Sequence, residues 1–278
     1  GLDSEYREKI IDDVPGEYRR LKRTHSTAAG DFYAITRHSY ENLDSADFQW
    51  ERRFIYDLDD MKRLASAPRE CRPVDPERFR AHDREHVGER GLPMTPVMHP
   101  LGTLVRNATM EEVYTWFLTA KGVVHEFLEN TTDQIVASLK QVGYTGMTPW
   151  FVTHAHEMLI PPWMGMDKFK EWVFPYDKRV NDQIHAIGGK RRSHCHGNCM
   201  AFLQTMYEMG IDATEPLEPP PFGDVDLAEA KKQMHGKMLL SGNVASQHFP
   251  TQRPEETRDM VKKAIDDAAA GGGFTLRT

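Results

Sequence analysis

Lys190-Arg191-Arg192-Ser193-His194-Cys195-His196-Gly197-Asn198-Cys199 holds the reading of the fold. A β-prone run, Lys190 to Ser193, follows a helix expected over 166–187 that Gly188-Gly189 stops, and it ends in imidazoles and thiols. A helix over 199–209, stopped by Gly210, comes next. The same unit recurs on both sides. Upstream, Trp150 to Thr153 ends in His154-Ala155-His156-Glu157. Downstream, Ile211 to Thr214 ends in Glu215-Pro216, and a helix is expected over 226–234. Met238 to Leu240 then ends in Ser241-Gly242-Asn243, and a helix over 254–269 leads through Gly271-Gly272-Gly273 to a last strand, Phe274 to Leu276. Short strands alternating with helices mean a parallel sheet with crossover helices, either a closed barrel or an open sheet. Neither a G-x-G-x-x-G turn nor a P-loop is present, which takes away the usual evidence for a nucleotide-binding open sheet. The last glycine run follows a helix, so it reads as a cap and turn.

Toward the N-terminus the pattern loosens. Residues 3–23 read as an amphipathic helix. Phe32 to Ile35 and Arg53 to Tyr56 are β-prone. Asp57 opens a short helix with acidic residues in its first turn, as the helix dipole favours, and Pro68 ends it. Residues 74–90 form a very polar helical segment with Asp75 as N-cap and Gly91 as stop. Met94 to Leu104 is strand-like and punctuated by proline. Thr109, followed by Glu111 and Glu112, starts a helix, and a second runs to Gln141 and stops at Gly143. The expected organisation is a helical or irregular segment over 1–95, packed on or beginning a (β/α) barrel whose remainder is 96–278, in one domain.

The 278 residues suit one barrel of about 250 residues. A hydrophobic share of 39% supports a real core, and the net charge of −7, with only short basic runs, argues against nucleic acid as a partner. The three cysteines, Cys71, Cys195 and Cys199, do not make a disulfide framework, and Gly1 to Ile10 has no signal-peptide core. With no apolar run long enough to span a membrane, a cytoplasmic protein is expected.

Functional groups in parallel α/β folds gather beyond the C-terminal strand ends. Side chains alternate along a strand, so His154 and His156 share a face if the strand continues through them, as do His194 and His196. Four imidazoles in one space suit a transition metal, and three would make a catalytic zinc site with one open position. Equally, they can be hydrogen-bonding partners for substrate. His194, His196 and Cys199 are the candidate metal ligands, although the Cys199 thiol can also sit idle against a helix. Cys195 has the opposite parity and belongs in the helix layer. Glu215, Glu157 and His154 are the candidate catalytic groups. Glu215 is the expected acid/base, held in the rigid Thr-Glu-Pro loop. His156, Asn198, Asn243 and Trp163 are candidates for binding substrate or cofactor. Asp224 and Asp226 read as caps of the following helix, and Asp212 as a partner for a His or Arg.

A resemblance now emerges. Ser193-His194-Cys195-His196-Gly197-Asn198 resembles the H-x-C-G-N segment of the superfamily of uroporphyrinogen decarboxylases and corrinoid-linked methyltransferases. Met209 to Ala213 resembles its G-x-D strand, and Glu218-Pro219-Pro220 to Asp226-Leu227 the loop and helix that follow. Gly236 to Val244 resembles its G-K-x-x-L-x-G-N-I strand, and Pro254-Glu255-Glu256 with Gly271 to Leu276 its ending. Phe169 to Tyr176 resembles the helix before the His segment. The likeness covers about residues 100–278.

The resemblance implies a TIM barrel, (β/α)8. In the methyltransferase branch, zinc is held by the His and Cys of H-x-C and by a Cys after the last strand, and it activates a thiol toward a methylated corrinoid. Here His196 replaces that Cys, and a further Cys ligand would have to follow Thr278. An oxygen- or nitrogen-linked methyl donor therefore fits better than a thiol. The R-Q-A-G-R-Y segment of true decarboxylases has no counterpart. The resemblance thus implies a methyltransferase moving a methyl group between a small methylated or methoxylated compound and a corrinoid (cobalamin-type) protein partner. Zinc would assist, and a homodimer is the family expectation. The alternatives are a metal-free decarboxylase or other lyase on the same barrel, and a non-catalytic ligand-binding barrel.

Overall fold

The computed structural model describes residues 3–42, 48–67, 75–144 and 150–278. Its backbone divides into two compact units, one of residues 1–73 with 100–138, the other of residues 74–99 with 139–278. The chain leaves the second unit at Pro100 and returns to it at Leu139, so neither unit is one continuous stretch.

The first unit opens with strands where a helix was expected. β1 (Glu5–Val14), β2 (Tyr18–Thr27), β3 (Gly30–Ser39) and β4 (Gln49–Arg52) form an antiparallel sheet in the order β1-β2-β3-β4. The overlooked signal is Pro15-Gly16. Proline lacks the N–H a helix interior needs, and Gly16 takes φ +82°, which glycine adopts at little cost. The turn closes with Glu17 N–H donating to the Val14 carbonyl at 3.0 Å. Cross-strand ion pairs, Arg23–Glu8 at 2.7 Å and Arg19–Asp13 at 3.0 Å, then fit a register that a helix could not use. On β3, Phe32, Ala34, Thr36 and His38 are buried, with more exposed residues between them, the period-2 pattern of a strand with one covered face.

The strand expected over Arg53–Tyr56 is a loop, and β4 lies just before it. α1 (Leu58–Ser66) starts at Asp57 as expected, with the Asp57 carboxylate accepting from Asp60 N–H at 2.8 Å. The expected stop at Pro68, and Cys71, lie outside the described residues. Within the first unit, the Pro100–Asn107 stretch is helical rather than strand-like. The helix Met110–Thr119 is closed by a Thr109/Glu112 capping box. The following helix, Lys121–Tyr144, starts in this unit and contains Gly143 in its last turn instead of stopping there.

In the second unit, α2 (Pro76–His82) begins at the Asp75 cap, and wider and tighter helical turns continue it to Arg90. The three helices just described are α3 (Pro100–Asn107), α4 (Met110–Thr119) and α5 (Lys121–Tyr144), of which α5 begins in the first unit and ends in the second. A six-stranded sheet follows from β5 (Met94–Pro96), β6 (Trp150–Thr153), β7 (Lys190–Cys195), β8 (Ala213–Pro216), β9 (Leu239–Asn243) and β10 (Phe274–Arg277). Every described pairing is parallel, in the order β10-β9-β8-β7-β6-β5. The crossovers are α6 (Met166–Trp172), α7 (Phe174–Ala186), α8 (Leu203–Met209), α9 (Leu227–Met234) and α10 (Pro254–Ala268). The single helix expected over 166–187 is thus broken at Val173, just before Pro175, whose ring excludes an uninterrupted helical ladder. Residues 200–202 form a tight turn ahead of α8. Gly210 ends α8 at φ +100°, where a Cβ would lie 2.9 Å from Asn181 Cβ, so that position needs glycine for both reasons.

β7 decides what each face of this sheet holds. Arg191, Ser193 and Cys195 are buried, while Arg192 and His194 are partly open. The buried set meets the covered side of α7, where Asp177, Val180, Asn181 and Ile184 are each 0% exposed. Trp172, Phe169 and Phe202 continue this layer, each contributing about 2–3 kcal/mol by burial. Among the described residues, no helix is long and apolar enough to cross a membrane.

Candidate active site

The open face of the parallel sheet carries its chemistry at the C-terminal strand ends. His194 of β7 pairs in register with Glu215 of β8, and its Nδ1 lies 3.0 Å from Glu215 Oε1. His196 follows the end of β7, with Nδ1 3.0 Å from Glu218 Oε1. The two rings are 4.6 Å apart, and His154, just past β6, brings a third ring to 5.0 Å from His194. The Glu215 and Glu218 carboxylates are themselves fixed. Arg192 Nη1 and Arg277 Nη1 reach Glu215 Oε2 at 3.2 and 2.5 Å. Gly197 N–H donates to Glu218 Oε2 at 2.8 Å, and Gln247 Nε2 to Oε1 at 2.9 Å. A cavity of about 80 Å³ lies here, lined in part by His194, His196, Pro216, Glu218, Asn243 and Gln247. The loop can approach this closely because Gly242 has no Cβ; one would stand 2.2 Å from the Pro216 carbonyl oxygen.

The electrostatics follow from these contacts. Burial alone would raise the Glu215 carboxyl, but His194, Arg192 and Arg277 outweigh it and hold it below the ordinary value. Burial opposes Glu218 in the same way, and the Gly197 N–H and His196 win. Both are therefore carboxylates at neutral pH, suited to accept hydrogen bonds from the imidazoles. Partial burial, then the neighbouring His194, lowers the His154 pKa, so His154 is neutral at pH 7.

A second polar group lies on the covered face. His156 Nδ1 meets Ser193 Oγ at 2.7 Å, and its Nε2 lies 3.8 Å from Asp177 Oδ1. His99 stacks on His156 at 4.5 Å and brings Nδ1 to 3.8 Å from Asp177 Oδ2. Arg191 Nη1 stands 2.8 Å from Asp177 Oδ1 and donates to Asn181 Oδ1 at 2.5 Å, while Nε donates to Thr153 Oγ1 at 2.8 Å. Burial, reinforced by His156, pushes His99 down to about 3. Burial would raise Asp177, yet Arg191 overrides it and depresses that carboxyl. Among the described residues, His99, His156 and Asp177 are the group of metal-capable side chains whose donor atoms lie within 4.8 Å of one another, and they can hold a metal ion. Arg191 already balances the one negative charge there.

The expected shared face for His154 and His156 does not form. β6 ends at Thr153, Ala155 turns the chain at φ +76°, and His156 enters a helical turn buried against Ser193. His154 is exposed at the mouth, with His194 and His196. Glu157 follows on the same turn, and its Oε2 is buried without a hydrogen-bond partner among the described residues. Asn243 reaches the cavity. Asn198 is exposed, and Trp163 is 61% exposed on the loop before α6. Asp226 caps α9, Asp224 accepts from Met200 N–H at 2.9 Å, and Asp212 pairs with His185 and Lys190 at 2.9 Å each. The basic run Lys190 to Arg192 was expected to be a solvated face; instead Arg191 is fully buried and Arg192 largely so, because alternate strand positions turn them to the covered face and to Glu215, and Arg277 went unread. Asp177 and His99 gave no local signal.

Cys199 stands apart from the imidazoles in character. It is 0% exposed, and burial, with Asp224 nearby, pushes its thiol up to about 12. Burial also raises Cys195 well above its usual value. Without a metal beside them, both are neutral thiols near pH 7. At the mouth, neighbouring rings stand 4.6 and 5.0 Å apart, and His194 and His196 are each tied through Nδ1 to a carboxylate, a form that metal-binding histidines commonly take. Their donor atoms do not converge within 4.8 Å as those of His99, His156 and Asp177 do.

Among solved structures, the chain is similar to a methyltransferase from Methanosarcina mazei, with a TM-score of 0.55 and 15% identity over 79% of this chain and 56% of that one. It therefore spans little more than half that protein's length, and the likeness concerns the fold. A "putative dehydratase from Mesorhizobium loti" aligns with a TM-score of 0.31 and 12% identity over 86% of this chain and 66% of that one, too weak a likeness to bear on the fold. No curated protein matches the chain. The family model described as Uroporphyrinogen decarboxylase (URO-D) matches residues 100–277, from α3 through β10 and every mouth residue named above. With well over half its length matched, the chain belongs to the uroporphyrinogen decarboxylase family.

Proposed function

We propose that this chain is a methyltransferase of the uroporphyrinogen decarboxylase family. It would move a methyl group from a small methylated or methoxylated compound to a corrinoid on a partner protein. On this reading the parallel sheet is the later part of a (β/α)8 barrel. The observation that carries the reading is the pair of carboxylate-bound imidazoles, His194 with Glu215 and His196 with Glu218, beside His154 at the strand ends.

With Nδ1–H donated to a glutamate, each imidazole keeps an Nε2 lone pair for a ligand. His194 and His196 would hold zinc, with His154 as the third donor. Zinc held there would supply Lewis acidity at the oxygen or nitrogen that gives up the methyl group. Glu215 and Glu218 orient the donors and offset positive charge. Glu157, with a buried unpartnered oxygen on the same turn, is the candidate to carry the proton that the departing atom takes up. Asn243 would supply an amide to orient the substrate. One observation favours a second reading. The arginines around Glu215 also suit a carboxylic acid substrate, which would serve a metal-free lyase with imidazoles as general acids.

Metal content separates these readings. About one zinc per chain by ICP mass spectrometry is expected, lost in both His194→Ala and His196→Ala and retained in His156→Ala. Loss in His156→Ala alone would move the metal to the covered cluster. Absence of zinc in every variant, even after supplementation, removes the metal-dependent mechanism. Methyl transfer to cob(I)alamin, followed by its absorbance, then tests the reaction itself.

A further inference from the structure

Arg192 and Arg277 come from strands that are not neighbours, yet both reach one oxygen of Glu215 across β8. The other oxygen is taken by His194. A latch between strands needs one cation for one carboxylate, yet two guanidinium groups gather here, Arg192 largely buried and Arg277 41% exposed at the surface. Neither arginine pairs with another carboxylate among the described residues. Glu218 is occupied by Gly197, His196 and Gln247. Glu215 is wholly buried and Arg192 largely so, and Arg192 Nε is buried without a hydrogen-bond partner among the described residues. Arg277 pairs in register with Asn243, which lines the cavity beside His194 and His196, and Thr278 lines it too. Around this carboxylate the side chains therefore offer more N–H donors than acceptors, next to a small cavity.

We infer that Arg192 and Arg277 form an oxyanion seat at the mouth, and that the substrate is a small acid whose carboxylate, or a like oxyanion, docks there. A guanidinium fork matches a carboxylate in plane with two parallel hydrogen bonds, which an amine cannot do. The docked acid would meet the exposed guanidinium of Arg277 and supply the counter-charge that Glu215 alone does not. Its other end would face the three imidazoles. A cavity of about 80 Å³ suits a small acid rather than a macrocycle. This deepens the proposed methyltransferase reading and rests on the mouth being the place where substrate binds.

Two ethers of nearly equal size test it, methoxyacetate and the neutral 2-methoxyethanol, titrated into the full chain by calorimetry. Methoxyacetate is expected to bind at least about tenfold more tightly, and Arg277→Met to remove that preference. Arg192→Met should do the same where it folds, while Arg253→Met, on an exposed helix start, should leave it intact. Inorganic phosphate as competitor distinguishes the sources of the anion. Displacement means a general oxyanion seat, and no displacement means a carboxylate seat. Equal binding of the two ethers, no saturable binding of methoxyacetate at millimolar concentration, or an undiminished preference in Arg277→Met overturns the inference. Binding is read without turnover, so the two ideas fail separately. Anion preference without methyl transfer to cob(I)alamin would sink the methyltransferase and leave the seat. Transfer from the neutral ether, with a KM unchanged in Arg277→Met, would do the reverse.

Discussion

Asp177 and Arg191 are both fully buried, and the guanidinium stands 2.8 Å from the carboxylate while also holding Asn181 and Thr153. Removing one partner strands the other charge away from water, which costs about 3–5 kcal/mol. Arg191→Met should therefore lower unfolding free energy by about that amount in urea titrations, and the Asp177→Asn/Arg191→Met pair should cost less than the sum of the single changes. Additive costs would show that the two groups are not coupled. The thiols give a second residue-scale expectation. With Cys199 pushed up to about 12 and Cys195 raised by burial, neither should react with iodoacetamide in the native protein near neutral pH, and both should react in urea, read by peptide mass spectrometry. Rapid native labelling of Cys199 would mean that its thiol is accessible after all. His194 and His196 were legible in the sequence because a strand of period 2 was legible around them. The same period also aims Arg192 at the mouth, but a basic run reads as solvent-facing until its partner, Glu215, is known to lie across the ladder. Asp177 was not legible, since its partners come from β7 and from His156, and no local pattern names them.

At the scale of elements, glycine and proline decided which readings stood. Asp57, Asp75, Thr109 and Asp226 were read as helix starts from a short polar side chain ahead of a helical pattern, and each caps a helix. The hairpin of β1 and β2 was missed because Tyr6, Ile10, Val14 and Leu21 satisfy a helical spacing well enough to hide Pro15-Gly16. The break at Val173 was missed in the same way, at Pro175. Two substitutions contrast what such positions do. Asp226→Ala removes one cap and should cost about 1 kcal/mol, with little change at the cavity. Gly242→Ala places a methyl group 2.2 Å from the Pro216 carbonyl oxygen, backbone against backbone, so β8 and β9 must separate where the cavity lies. That overpacking should cost about 1–3 kcal/mol and weaken ligand binding along with stability. Equal thermal shifts with ligand binding unchanged in both variants would show that the β8–β9 contact does not shape the site.

The whole molecule brings these groups together in its response to acid. A net charge of −7 means that mild acidification reduces self-repulsion, so charge balance alone predicts a chain that holds or gains stability below pH 7. The buried histidine predicts the opposite. His99 is held down to about 3, against an ordinary value of 6.5, because its site excludes water. The unfolded chain therefore takes up that proton first. Stability from keeping His99 neutral is fully present above pH 6.5 and drains away as pH falls toward about 3. The depressed Asp177 carboxyl adds a further loss only below its ordinary value of 3.8. Between about pH 7.5 and pH 5 His99 by itself accounts for on the order of 2 kcal/mol. Urea midpoints across that range should fall in the wild type and fall less in His99→Gln, because the substitution removes the group that gains the proton on unfolding. A midpoint that is flat or rises toward pH 5 in the wild type would mean that His99 is reached by water or protonated in the fold. In that case the covered face of the sheet is not the sealed layer described here, and the Arg191–Asp177 pair would lose the low-polarity surroundings on which its own predicted cost depends.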